Sequence, residues 1–245
     1  MKKILITGAT SGIGEELARR FHSEGKKIII AGRSEERLKD IISKCPGMSY
    51  VLLDMRNQLD IENVSQFLMT QHGDLDTLIN NAGIQKKISF ETSKPLSQEL
   101  LSEEIQTNFL GCVLLTSALL PLLKRQERAQ IVNISSGLAL VPLASAPLYC
   151  ASKAALHSFT MSLRHQLRHT NIQVTELLPP LVQTNLHRGQ NTPLPHAMPL
   201  AEFIESAMKE LKKGEDEILI GPVKSLRRAA RFLPKRIFKI MNSRV

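Results

Sequence analysis

The eight residues Thr7-Gly8-Ala9-Thr10-Ser11-Gly12-Ile13-Gly14 stand between an apolar run at 4–6 and a segment at 15–23 whose apolar side chains recur at helical spacing. A strand that enters a glycine-rich turn and leaves it as a helix has few ways to fold. Glycines let the backbone amides of such a turn approach a pyrophosphate at the helix N-terminus, where unpaired N–H groups and the helix dipole favour an anion. The spacing here, G-x-x-x-G-x-G, departs from the commonest dinucleotide fingerprint, and a glycine cluster alone is equally consistent with a tight turn.

The following segments bear on that choice. A strand pattern at 27–31 ends in Gly32-Arg33-Ser34, with no acid before Glu35. Sites for NAD often carry an acidic side chain there for the ribose 2′-hydroxyl, whereas an arginine accommodates a 2′-phosphate. Arg33 therefore points to NADP(H) over NAD(H); its other reading is a solvated residue at a helix start. A helix pattern at 35–43, a breaker at Cys45-Pro46-Gly47 and a strand at 50–53 lead to Asp54, which suits either an adenine amine or a cap for a helix starting near Asp60.

Further on, a strand at 75–79 runs into Asn80-Asn81-Ala82-Gly83, and 99–124 reads as one long amphipathic helix containing Asn108. An asparagine there either faces solvent or perturbs the helix and holds a water. A strand at 129–135, a helix at 148–167 and a strand at 173–178 follow, and Pro179-Pro180 ends the last of these. Residues 181–199, with Pro193, Pro195 and Pro199, read as a long irregular loop over the site, a lid. A helix at 200–212 and an edge strand at 217–220 complete an α/β chain whose alternation implies one doubly wound parallel sheet with helices on both faces.

Ser136, Tyr149 and Lys153 cluster just after the buried strand at 131–134. If Pro147 opens a helix, Tyr149 and Lys153, four apart, project from one face. An ammonium near a phenol favours the phenolate and lowers a tyrosine pKa from about 10, and Ser136 offers a hydroxyl to a developing oxyanion. A Y-x-x-x-K spacing alone is common on helices, but this chain has only two tyrosines, Tyr50 and Tyr149.

At 245 residues, with 42% hydrophobic and 22% charged side chains, the chain can bury one substantial core. No apolar run approaches the roughly 18 residues of a membrane span, and 1–3 leads straight into a strand without room for a signal peptide, so a cytoplasmic protein is expected. Cys45, Cys112 and Cys150 lack metal-ligand spacing, and no metal is expected; Cys150 reads as a small buried filler. The net charge of +9 sits at one end: 224–245 holds eight Lys and Arg and no acid, against 24 basic and 23 acidic residues before it. We accordingly divide the chain into a nucleotide-binding domain at 1–223 and a basic amphipathic extension at 224–245, split by Pro234 into two short helices.

With T-G-x-x-x-G-x-G at 7–14, N-N-A-G at 80–83, Asn108, Ser136 and Tyr149-x-x-x-Lys153, the sequence resembles the short-chain dehydrogenase/reductase family over roughly 3–220. Within the family it is most similar to the DltE-type oxidoreductases of D-alanine-transfer operons, through 81–85, 148–159 and 163–167. The resemblance implies that Tyr149 is the general acid in reduction and that Lys153 binds the nicotinamide ribose and depresses the Tyr149 pKa. It implies that Ser136 polarises the carbonyl and Asn108 anchors a water in a proton relay. Gly8, Gly12, Ile13 and Gly14 would cradle the pyrophosphate, Asp54 and Asn80 would line the adenosine half, and Val182 and Thr184 would meet the nicotinamide carboxamide; Thr10, Ser11, Ala82, Gly83 and Pro179 would also bind the cofactor, beside Arg33. Pro180 departs from the family pattern, which has glycine there.

The expected activity is hydride transfer between NADP(H) and an apolar carbonyl or secondary alcohol, since 138–148 is nearly devoid of charge and Leu181, Leu186, Leu194 and Met198 populate the lid. The alternative, resting on Pro180 and the tail, is a catalytically silent NADP(H)-binding sensor or membrane scaffold. A homodimer or homotetramer is expected through the helices at 99–124 and 148–167. The tail either packs on the body or contacts the anionic inner face of the membrane; no nucleic-acid motif accompanies it.

Overall fold

The computed structural model describes residues 1–187 and 196–243. Seven parallel strands, β1 (Lys3–Thr7), β2 (Lys27–Gly32), β3 (Ser49–Leu52), β4 (Thr77–Asn80), β5 (Ala129–Ile134), β6 (Ile172–Leu178) and β7 (Glu217–Leu219), form one sheet in the order β3-β2-β1-β4-β5-β6-β7. The central strands are buried on both faces, which is why they read as continuous apolar runs instead of alternating ones. Successive side chains still divide between the faces. Ile4 and Ile6 join Leu17, Phe21 and Phe203 in one core, while Leu5 joins Leu68, Leu115 and Leu119 in the other.

The helices α1 (Gly12–Ser23), α2 (Glu35–Lys44) and α7 (Leu200–Leu211) supply the first core, and α3 (Gln58–Gln71), α5 (Gly111–Leu123) and α6 (Pro147–Leu167) supply the second. Local chemistry sets several boundaries. The Ser34 side chain accepts from Arg37 N to start α2, and Asn57 Oδ1 accepts from Leu59 N to start α3. Pro147 occupies the first turn of α6, where its missing N–H costs nothing. Winding reverses between β1 and β4, and the carboxyl ends of strands at such a switch point open a crevice.

Two elements differ from the sequence expectation. The strand expected at 75–79 begins at Thr77, because Leu75 is still in a turn with its N–H on His72 O. The helix expected at 99–124 is α4 (Gln98–Ile105), a π-turn at Gln106–Leu110 and then α5. Asn108 lies in that π-turn and spends its side chain off the helix: Oδ1 accepts from Ile84 N at 2.8 Å, and Nδ2 donates to Ile84 O at 2.9 Å and to Ser152 Oγ at 3.0 Å. The extra residue per turn and this clasp of the 80–84 segment go together, in line with π-bulges at functional positions.

The continuous helix Gln98–Leu123 has the length and composition of a membrane span, contrary to the expectation that no segment approaches one. Its apolarity has a local cause, since Leu115, Leu119, Leu122 and Leu123 pack on Ile61, Val64 and Leu68 of α3.

The tail forms two helices, α8 (Val223–Phe232) and α9 (Pro234–Asn242), broken at Leu233 as Pro234 requires. Both turn back onto the body. Arg227 pairs with Glu217 of β7, and the Asn242 side chain accepts from Ala144 N at 2.6 Å and donates to Pro142 O at 3.2 Å.

Candidate active site

The crevice at the strand ends is a cavity of about 730 Å³. Its floor is the β1–α1 turn, where Gly8 and Gly12 hold φ of +65° and +60°, conformations that side-chain-bearing residues rarely adopt. A Cβ on Gly8 would lie 2.6 Å from Ala82 Cα, so the turn and the 80–83 segment are fitted together. Thr7 Oγ1 accepts from the N–H groups of Asn81 and Ala82, both at 3.0 Å, and Asn81 Nδ2 donates to the Thr7 and Gly8 carbonyls. Ser11 precedes α1 without a side-chain cap, leaving the first-turn N–H groups beside the cavity without a side-chain acceptor. Those donors, with Thr10, Ser11, Gly12 and Ile13 on the wall, fit a pyrophosphate. Gly14 is not on the wall: a Cβ there would meet Asn81 Nδ2 at 2.3 Å and Gly8 O at 2.6 Å, so its smallness serves helix-to-turn packing.

At one end of the cavity Arg33 is exposed and Asp54 lines the wall. The Asp54 carboxylate accepts from the Arg56 guanidinium at 2.7 Å and from Arg56 N at 3.0 Å, and these bonds hold its pKa below the ordinary value. Asn57, not Asp54, caps α3. Ala82 and Gly83 reach the cavity, but Asn80 does not. The Asn80 amide is buried and donates to Thr116 Oγ1 at 3.0 Å and Asn133 Oδ1 at 2.8 Å. On a strand, neighbouring side chains leave by opposite faces, and the alternation that brings residue 81 to the turn sends Asn80 into the core under α5.

At the other end Ser136, Tyr149 and Lys153 line the cavity together, each less than a tenth exposed. Lys153 Nζ donates to the Ile134 carbonyl at 2.8 Å and stands 5.8 Å from the centroid of the Tyr149 ring. Burial pushes the Tyr149 pKa up to about 12, opposed by a hydrogen bond from Ser136 and reinforced by the charges of Cys150 and Glu104. Burial pulls Lys153 down to about 8. This direction is opposite to the expected depression of the tyrosine by the lysine, because desolvation of the buried phenolate is the largest effect on it. Asn108 lies behind this wall; a Cβ on Gly83 would meet its Oδ1 and Lys153 Nζ, both at 3.5 Å.

Val182 and Thr184 line the cavity beside Pro179 and Pro180, despite the proline where the family pattern has glycine. Residues 182 and 198 form a β-bridge, with Gln183 N on Met198 O at 2.9 Å and Met198 N on Leu181 O at 2.8 Å. Those bonds clasp the two ends of the expected lid; its residues 188–195, Leu194 among them, lie outside the described residues.

Several neighbours of the site escaped sequence reasoning. Leu226, Ala229, Ile237 and Met241 of the tail close the cavity beyond Tyr149, next to Leu138, Leu143 and Leu186. The helical spacing of the apolar tail residues was visible in the sequence, but not where that face would dock. Glu104 is fully buried, with one oxygen accepting from Lys86 N at 2.6 Å and the other unpartnered, and burial raises its pKa. Cys150 receives Leu143 N on its sulfur and burial raises its pKa, in keeping with a packed filler. Donor atoms of His157, Glu176 and Glu217 converge within 4.8 Å. Each is already satisfied, Glu176 by Ser135 Oγ and His157 Nδ1 and Glu217 by Arg227.

A doubly wound sheet whose first turn suits a pyrophosphate, ending in a buried Ser-Tyr-Lys group, is the arrangement of a dinucleotide-dependent oxidoreductase. The chain belongs to the short chain dehydrogenase family, whose model matches residues 2–194. It is 39% identical to the uncharacterized oxidoreductase DltE of Bacillus subtilis (strain 168), covering 98% of this chain and 96% of that one. It is 36% identical over 180 residues to the NADP-dependent 3-hydroxy acid dehydrogenase YdfG of Escherichia coli (strain K12), covering 73% of this chain and 72% of that one. Among solved structures, a short chain dehydrogenase from Burkholderia cenocepacia J2315 in complex with NADP superposes with a TM-score of 0.84 at 26% identity, covering 98% of this chain and 99% of that one.

Proposed function

We propose that this protein is an NADP(H)-dependent oxidoreductase that interconverts an apolar ketone and its secondary alcohol. The observation that carries the reading is one continuous cavity bounded by Arg33 at one end and by Ser136, Tyr149 and Lys153 at the other. NADP binding by the Burkholderia relative and the NADP dependence in the name of YdfG support the choice of cofactor.

When bound, the nicotinamide supplies or takes up the hydride. The chain's own residues manage the proton and the charge. Tyr149, a phenol at neutral pH with its pKa near 12, donates its proton to the substrate oxygen during reduction. Ser136 donates a hydrogen bond to that oxygen as negative charge develops on it. Lys153 holds the nicotinamide ribose, and Asn108 keeps the Ile84 backbone in register behind it. Gly8, Thr10, Ser11, Gly12 and Ile13 bind the pyrophosphate, Arg33 the 2′-phosphate, Asp54, Ala82 and Gly83 the adenosine half, and Pro179, Val182 and Thr184 the nicotinamide.

The substrate end carries Leu138, Leu143, Leu186, Leu226, Ala229, Ile237 and Met241, which favours an uncharged apolar carbonyl over an acid or a sugar. The enzyme works as a cytoplasmic homodimer or homotetramer. A catalytically silent alternative rests on Pro180 and the basic tail; Pro180 leaves Val182 and Thr184 on the cavity wall, and a docked tail leaves Ser136, Tyr149 and Lys153 together on it, so neither feature speaks against turnover. The test is NADPH oxidation by purified protein over a panel of aliphatic and alicyclic ketones and 3-oxo acids. Turnover of the apolar ketones is expected, and its absence across the panel, with NADPH bound, overturns the reading.

A further inference from the structure

We propose that α8 and α9 are a membrane-docking element, seating the protein on an anionic bilayer with the apolar end of the cavity beside the lipid. The inference rests on the substrate reading above for the identity of what enters. The docking itself stands on separate observations.

The inner side of the helix pair is occupied. Val223, Leu226, Ala229, Ile237 and Met241 line the cavity, so the pair is fixed to the body and its amphipathic pattern is partly spent there. What remains is unusual for a solvated surface. Phe232, Leu233, Phe238 and Ile240 are 75%, 52%, 43% and 57% exposed, four large apolar side chains within nine consecutive residues. Among them stand Arg228, Arg231, Lys235, Arg236 and Lys239, all exposed, and the whole stretch 224–245 contains no acid. None of these five has an ion-pair partner among the described residues; of the cations in the stretch only Arg227 does there, with Glu217.

Large apolar side chains interleaved with unpaired cations match the interface of an anionic bilayer, where apolar groups enter the acyl boundary and cations meet headgroup charge. A second copy of the chain is a poorer occupant, because a two-fold contact would set this acid-free patch against itself, cation on cation. Nucleic acid would satisfy the cations but not four exposed apolar groups. The geometry adds a consequence: the element that meets the lipid is the same one that walls the substrate end, so docking sets the apolar end of the cavity close to the bilayer.

The experiment is co-sedimentation of the full chain with vesicles of phosphatidylcholine alone and of phosphatidylcholine with phosphatidylglycerol, at low and high salt. It is repeated for Arg231→Gln/Lys235→Gln and for Phe232→Ser/Phe238→Ser. Binding to the anionic vesicles alone is expected, weakened by salt. The charge pair should reduce it roughly 30-fold, at about fivefold per cation, and the apolar pair should also reduce it. NADPH turnover on a water-soluble ketone should be unchanged in both variants, so loss of docking and loss of activity are read separately. No binding by the wild type, equal binding to neutral vesicles, or binding indifferent to both variants overturns the proposal. So does a change of oligomeric state by light scattering in the variants, which would make the patch a subunit contact, or competition by duplex nucleic acid in place of lipid.

Discussion

Lys153 Nζ stands 5.8 Å from the centre of the Tyr149 ring, and its hydrogen bond goes to the Ile134 carbonyl at 2.8 Å. The two side chains are buried together, and burial moves their pKa values apart, the phenol up to about 12 and the ammonium down to about 8. Burial thus favours the neutral form of each, the phenol on Tyr149 and the amine on Lys153. Both follow from desolvation, which penalises whichever form is charged.

Replacing Tyr149 by Phe removes the transferable proton and the hydroxyl, and little else. Ketone reduction should fall by about 10²- to 10⁴-fold, with the dissociation constant for NADPH nearly unchanged in a fluorescence titration. Near wild-type turnover by the variant would remove Tyr149 from the role of acid.

The lysine makes a stability prediction. Its folded pKa of about 8 lies below the ordinary 10.5, so between those values the unfolded chain binds more protons and stability rises with pH. Below pH 8 the full cost of burying the charge is paid. Thermal midpoints of the wild type should gain on those of Lys153→Met as pH rises from about 8 to 10.5. Tyr149 acts in the opposite sense above pH 10, where the folded state holds its proton longer. Parallel midpoint curves for wild type and variant would contradict the lysine's burial as a charge.

Arg33 is exposed at the cavity's edge. A charge-assisted hydrogen bond is worth about 1.5–3 kcal/mol, so Arg33→Ala should raise KM for NADPH about tenfold or more and leave KM for NADH little changed. Steady-state kinetics with both cofactors decide it, and equal effects would reassign the residue.

Asn80 separates a structural residue from a binding one. Its amide bridges Thr116 and Asn133 inside the core, so Asn80→Ala leaves buried acceptors unpaired at a cost of about 1–3 kcal/mol. The melting temperature should drop while KM for NADPH stays constant. A selective rise in KM would return Asn80 to the cofactor site.

Leu110 and Met161 are 46% and 55% exposed on the two helical segments expected to pair between subunits. Light scattering should give a dimer or tetramer at micromolar concentration, and Met161→Glu should shift it toward monomer. A monomeric wild type would count against assembly through these helices.

Much of this was legible in the sequence because it depends on neighbours along the chain. The glycine turn after an apolar run, the proline that opens α6, the four-residue spacing of Tyr149 and Lys153 and the break at Pro234 are short-range backbone chemistry, and each element formed where that chemistry put it. The π-turn at Asn108 was half visible, as an asparagine in an apolar helix; its partners Ile84 and Ser152 were not. What only the tertiary structure decided depends on burial and on which face a side chain leaves by. Asn80 sits within the motif that frames the cavity, yet strand alternation turns it inward. The Tyr149 pKa moves opposite to what one neighbouring charge implies, because the desolvation of both groups is set by everything packed around them. The tail's apolar spacing specified a face, and long-range packing put Leu226 and Ile237 of it on the cavity wall while leaving Leu233 and Ile240 exposed.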